Sequence, residues 1–322
     1  METAPQFEDV AHVRAALEGA GYICSPGVAT VVFLAQATRK PILVEGPAGV
    51  GKTELAKAVA RCLNRELIRL QCYEGLDEAK ALYEWEYAKQ LLYTQMVKEK
   101  IGDVVAGARS IAEAVDRIAA QEDAFFSERF IQPRPLLQAI SAEHPVVLLI
   151  DEVDKSDPEF EAFLLEVLSD FQVSIPELGT RRALHIPFVV LTSNDSRDMS
   201  DALKRRCLHL YIDYPDRDLE LKIVRLKLPL IGDRLAFQLV DAVRRIRALD
   251  LKKKPAISET LDWAQSLVAL QVEELSLEVL RETLNVICKH RSDVQLVREK
   301  IGKVFSAGSQ RRTSPSGHLD RE

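Results

Sequence analysis

The chain has 322 residues, of which 47% are hydrophobic and 29% charged, and carries a net charge of −6. That size supports a large buried core and, as a first expectation, two domains. Mean hydropathy is near zero, and no apolar run reaches the roughly 18 residues of a membrane-spanning helix. The acidic balance argues against nucleic acid as a general partner. The acidic N-terminus lacks the apolar core of a secretion signal. Five scattered cysteines, none in a C-x-x-C pair, suit reduced thiols in a cytoplasmic setting. The six histidines show no metal-ligand spacing.

In chain order, residues 6–18 have the pattern of an amphipathic helix that ends at Gly19-Ala20-Gly21, and 25–37 that of a second. Strands are expected at 42–45, 66–72, 146–150 and 187–192, with a further one at 208–212. Helical stretches between them imply a doubly wound parallel sheet. Between the second and third strands lies far more chain than a crossover needs. Residues 77–100 and 110–120 are helical in pattern, 130–135 form a break and 136–141 resume as a short helix. The excess, about 73–135, is either an insertion with a task of its own or a structural elaboration. Alternation over 172–176 and 183–186 predicts a β-hairpin ahead of the fourth strand. After Tyr214-Pro215 the pattern turns helical, at 216–227, 236–249, 258–270 and 276–290. The expected division is therefore an α/β core over 1–215, a smaller all-α domain over 216–306 and a disordered tail over 307–322.

Four stretches carry chemistry. Gly46-Pro47-Ala48-Gly49-Val50-Gly51-Lys52-Thr53 fits G-x-x-x-x-G-K-[ST], set between an apolar strand and a helix that begins near Glu54. Its glycines let backbone amides curl around phosphates, and the helix N-terminus adds its positive dipole end. Lys52 would neutralise phosphate charge, and the Thr53 hydroxyl would ligate Mg²⁺. The second stretch is the apolar run 146–150 ending in Asp151-Glu152, acids placed at the C-terminal end of a doubly buried strand. Asp151 can hold Mg²⁺ through water, and Glu152 can polarise the water that attacks a γ-phosphate. In the third, the run Phe188–Asn194, a buried strand again ends in polar residues, and the amide of Asn194 could orient that water. In the fourth, Arg205-Arg206 precede the 208–212 strand, where an arginine could reach nucleotide on a neighbouring subunit. Taken alone, Asn194 is an ordinary turn residue and the arginines a solvated basic turn; the company of the first two motifs gives them the catalytic reading.

Together these stretches resemble the AAA+ ATPases: residues 46–53 as Walker A, 148–152 as Walker B, Asn194 as sensor 1 and Arg205-Arg206 as the arginine-finger region. Finer features resemble the MoxR family: the run 46–57, the insertion before Walker B, Ile150-Asp151-Glu152-Val153-Asp154-Lys155, and the hairpin before sensor 1. The resemblance implies an AAA+ P-loop core with an all-α lid, ATP and Mg²⁺ as ligands, and nucleotide contacts from Gly46 through Glu54. It also implies a hexameric ring, Arg206 before Arg205 as the finger, and chaperone-like maturation of a client enzyme or metal centre beside a partner bearing a von Willebrand factor A domain. The chain departs from the family at 257–263, which has no sensor-2 arginine. A nucleic-acid motor and a slow nucleotide-dependent scaffold are the competing functions.

Overall fold

The computed structural model describes residues 6–96, 110, 113, 130–175 and 179–305. Two compact units divide the chain. The first holds the residues up to Val13, Pro26–Glu45 and Ala56–Leu210; the second holds Arg14–Ser25, Gly46–Leu55 and the residues from Tyr211 onward.

The first unit is built on a five-stranded sheet in the order β2 (Leu67–Gln71), β5 (Val147–Asp151), β8 (Phe188–Ser193), β1 (Ile42–Glu45) and β9 (Leu208–Tyr211). β2 pairs with β5, β5 with β8, and β8 with β1, all parallel. The three inner strands are buried at every residue, which is why they are almost continuously apolar in sequence. The edge strand β2 alternates instead, with Ile68 and Leu70 buried while Arg69 and Gln71 share the other face. The core joins Leu43, Leu148, Ile150, Val189 and Leu191 to Leu136 and Ile140 of the helix Pro135–Ile140, and to Phe160, Leu164 and Val167 of the helix Pro158–Asp170.

The hairpin before β8 is present with a different second arm. β6 (Gln172–Ile175) pairs with β7 (Gly179–Arg182), not with the apolar residues 183–186. Those residues form the connection to β8, with Leu184 75% exposed. The helix expected over 77–100 is interrupted. Glu78–Leu82 is helical, Tyr83–Trp85 is strand β3, and Tyr87–Met96 is helical again. β3 pairs antiparallel with β4 (Ile131–Pro133), inside the stretch expected to be a break. The proline closes the strand, where its missing N–H costs no ladder bond. Most of the helix expected over 110–120, the insertion over 97–129 apart from residues 110 and 113, and the tail over 307–322 lie outside the described residues.

From Arg217 onward the chain is helical, through Arg217–Lys227, Asp233–Arg247, Ile257–Ala269, Leu277–Ile287, Arg291–Glu299 and Ile301–Phe305. The first and fourth of these start where side chains cap them: Asp216 accepts from the Leu219 amide at 2.8 Å, and Ser276 from the Val279 amide at 3.1 Å. Leu239, Val243, Trp263, Leu267, Leu280 and Leu284 supply a separate core. Within it Glu220, with no exposed surface, takes two 2.6 Å bonds from Arg247 and one of 2.8 Å from Thr260. An α/β core with a helical C-terminal region is therefore the architecture, and among the described residues no helix is long and apolar enough to cross a membrane.

Candidate active site

Parallel pairing places the C-terminal ends of the inner strands along one sheet edge. Gln71 stands opposite Asp151, and Glu45 opposite Ser193. Asp151 closes β5, 2% exposed, and its two carboxylate oxygens are both engaged. Oδ1 accepts from the Thr192 hydroxyl and Oδ2 from the Arg69 guanidinium, each at 2.5 Å. Glu152 follows in the left-handed region, at φ 57 and ψ 49. For a residue other than glycine this conformation costs about 1–3 kcal/mol, and it persists only where neighbours hold it. Thr192 is such a neighbour, since its hydroxyl also accepts the Glu152 amide at 2.9 Å.

The turn aims the Glu152 carboxylate at three donors. Asn194 Nδ2 reaches Oε1 at 3.1 Å; Gln71 Nε2 and Lys155 Nζ reach Oε2 at 2.9 and 2.6 Å. Asn194 and Glu152, forty-two positions apart in sequence, are thus brought together. Lys155, from the stretch that carries Asp151 and Glu152, completes the group with Arg69, Gln71 and Thr192, to which the sequence assigned no role. Arg69 and Gln71 lie two residues apart on one strand face, and Arg69 Nη2 also donates to Gln71 Oε1 at 2.5 Å. Their signal in the sequence was a polar stripe on a half-apolar strand. The bond to Glu152 raises the Lys155 pKa. Burial, followed by the charges of Asp151, Asp154 and Glu152, pushes the Cys72 thiol up to about 12. At the end of β1, Glu45 is buried and bonds the His209 ring. Among the described residues no cluster of three or more His, Cys, Asp or Glu side chains could hold a metal.

The phosphate loop belongs to the second unit. Lys52, 5% exposed, opens the helix Lys52–Cys62 and folds its Nζ back onto the Gly46 and Pro47 carbonyls, each at 2.7 Å. Thr53 and Glu54 follow half-buried in the first turn of that helix; Val50 is buried, and Ala48 and Gly49 are exposed. At Gly46 (φ +144) a Cβ would run into the Ile212 carbonyl, whose carbon would be 3.0 Å away, so only glycine lets the two backbones pass. A lysine ammonium lodged against loop carbonyls, at the positive end of a helix, is an arrangement suited to polyphosphate.

Arg205 and Arg206 are exposed in the last turn of the helix Asp201–Arg206. The structure does not bring them to the Glu152 group. Arg206 Nε donates instead to Ser169 Oγ at 2.6 Å, and its Nη1 to the Ala202 carbonyl at 3.4 Å.

A family model described as AAA domain (dynein-related subfamily) matches residues 41–207, just over half of the chain. The chain belongs to this AAA family. Its match begins one residue before β1 and ends just after Arg206, so it takes in all four motifs. With the phosphate loop and the paired acids inside it, this AAA protein is an ATPase. It is 25% identical over 272 residues to gas vesicle ATPase GvpN1 of Halobacterium salinarum, covering 81% of this chain and 72% of the relative. Gas vesicle ATPase GvpN of Haloferax mediterranei is also 25% identical, over 276 residues, with the same coverages. Among solved structures, the Thermotoga maritima RuvB Holliday junction branch migration motor covers 94% of this chain and 78% of its own, at 18% identity and a TM-score of 0.44.

Proposed function

We propose that this AAA ATPase is a remodelling factor of the MoxR type, which spends ATP hydrolysis on the maturation, activation or metal-centre assembly of a client protein. In this reading it works as a hexameric ring in the cytoplasm, beside a partner with a von Willebrand factor A domain. Residues 1–215 form its nucleotide-binding core and 216–306 its lid. The observation that carries the reading is the Glu152 carboxylate held between Asn194, Gln71 and Lys155. A base so restrained turns over slowly at rest and has donors to shed when a client or partner binds.

In this reading Thr53 and Asp151 would each offer a hard oxygen donor, the chemistry Mg²⁺ selects. When bound, Mg²⁺ offsets charge on the β- and γ-phosphates. Lys52 neutralises the same phosphates, Glu152 takes the proton of the attacking water, and Asn194 orients that water. Arg206, exposed and away from Glu152, serves the phosphates of an adjacent subunit in this reading. The net charge of −6 supports a protein client over nucleic acid. The name gas vesicle ATPase, borne by relatives at 25% identity, supports service to an assembly without identifying the client here.

The test is steady-state ATPase of the purified chain alone, with single- and double-stranded DNA, and with a co-purified von Willebrand A protein from a neighbouring gene. Stimulation by the protein and not by DNA is expected. Stimulation by DNA alone would turn the assignment to a nucleic-acid motor.

A further inference from the structure

The phosphate loop is touched from within its own unit by the start of the helix Ile257–Ala269. The Ser258 amide donates to the Gly49 carbonyl at 3.2 Å. The first amides of a helix have no acceptor inside it, so this one is available to bond the loop. The helix start is firmly built. Glu259 Oε2 accepts from the Ala256 amide at 3.0 Å and from Ser258 Oγ at 2.9 Å, and Lys253 Nζ lies 3.3 Å from Oε1. Gly49 has φ +82, and a Cβ there would lie 2.9 Å from Ala256 Cβ and nearer still to Ser258 Oγ. Only glycine allows the approach.

A trans peptide points its C=O and N–H in opposite directions. With the Gly49 carbonyl turned to Ser258, the Val50 amide of the same peptide is turned away from the helix. Amides of this loop are the groups that cradle phosphate. We propose that Ser258 is a positioning residue of the ATPase site. Its main-chain amide sets the Gly49–Val50 peptide so that the Val50 N–H is presented to the nucleotide phosphates. The lid helix thereby acts on nucleotide through the loop backbone, in a chain whose 257–263 segment carries no arginine. The inference rests on residues 46–53 being the nucleotide site.

Ser258→Pro removes this donor at the second position of the helix, where the amide has no partner inside the helix to lose. Ser258→Ala keeps the amide and loses only the bond to Glu259. Fluorescent ATP and ADP analogues are titrated into the full chain, with Lys52→Ala as control. Ser258→Pro should bind both more weakly, on the order of tenfold for one charge-assisted bond, while Ser258→Ala stays within about twofold. Unchanged affinity in Ser258→Pro, or equal loss in Ser258→Ala, would overturn the proposal. Unchanged affinity in Lys52→Ala would instead remove the phosphate-loop assignment beneath it. Amide exchange in the unaltered protein decides the matter if Ser258→Pro does not fold. The Ser258 amide should exchange at least about tenfold slower than an open-chain amide, and slower again with ATP; exchange at the open-chain rate in both states overturns the assignment.

Discussion

Thr192→Val keeps the volume of a fully buried side chain and removes one hydroxyl. That hydroxyl donates to Asp151 Oδ1 at 2.5 Å and accepts the Glu152 amide at 2.9 Å. A bond to a charged group is worth about 1.5–3 kcal/mol and a neutral one about 0.5–1.5 kcal/mol, so the end of β5 should lose about 2–4.5 kcal/mol of local stability. At 1.4 kcal/mol per factor of ten, Glu152 amide exchange should rise on the order of 30- to 1,600-fold. Glu152 sits in a backbone region it does not favour, and release lets its carboxylate swing away from Asn194. A misplacement of about 1 Å can cost about 100-fold in rate, so kcat should fall by that order. ATP affinity should hold, because the loop around Lys52 is untouched. Hydrogen exchange read on peptides across Asp151–Asp154, with steady-state turnover, gives both quantities. If both stayed within about threefold of the parent, Thr192 would not be what holds Glu152. Faster exchange with normal turnover would mean that the left-handed turn is not needed for hydrolysis.

Five further outcomes are expected. Lys52→Ala should lose ATP binding in equilibrium titration, whereas Glu152→Gln should bind ATP and turn over about 100-fold or more slowly. Arg206→Ala should keep ATP binding and lose roughly 10³-fold in hydrolysis, and mixing it with Lys52→Ala should restore some activity if the finger acts between subunits; full activity in a monomer would end that reading. Arg247→Met strands the buried Glu220 carboxylate and should cost about 3–5 kcal/mol in denaturant unfolding followed by the fluorescence of buried Trp263. Burial raises the Cys72 and Cys207 thiols from 9.0 to about 12 and Cys288 to about 11. The folded state therefore keeps protons that the unfolded chain releases, and this contribution to stability is whole below pH 9 and is lost as pH climbs toward 12; alkylation at pH 8 should spare all three thiols until the protein is unfolded.

The parts of the fold that were legible in sequence are those where one rule dominates. β1, β5 and β8 are buried on both faces, so they stand out as apolar runs, and the chemistry sits where those runs end. Asp151, Glu152 and Lys52 were visible because their neighbours in sequence are also their context. Arg69, Gln71 and Thr192 were not, because their role depends on pairing between strands that are far apart in the chain. The β3–β4 ribbon was hidden for the same reason: Tyr83 pairs with Pro133, while the local pattern around Tyr83 is helical. The hairpin arm was misplaced because apolar Leu184 and Ile186 suggested a strand. Tertiary pairing instead chose Thr180, Arg181 and Arg182, whose exposed face needs no hydrophobic residue. The bond from Ser258 to Gly49 runs between main-chain atoms and leaves almost no trace in residue identity beyond the glycine itself.

The strand order has a consequence for how the protein comes into being. β1 is made early, yet in the sheet it stands between β8 and β9, with Ile42 paired to Val190 and the Pro41 carbonyl bonded to the Leu208 amide. β2 and β5 can pair as soon as residue 151 has emerged from the ribosome, whereas β1 waits for chain more than halfway along. Such distant parallel contacts bear the loop-closure cost before they return any stability, and they form slowly. The strand that leads into the phosphate loop is thus among the last to be seated during synthesis, and nascent chains that stop short of β8 should have no competence to bind nucleotide.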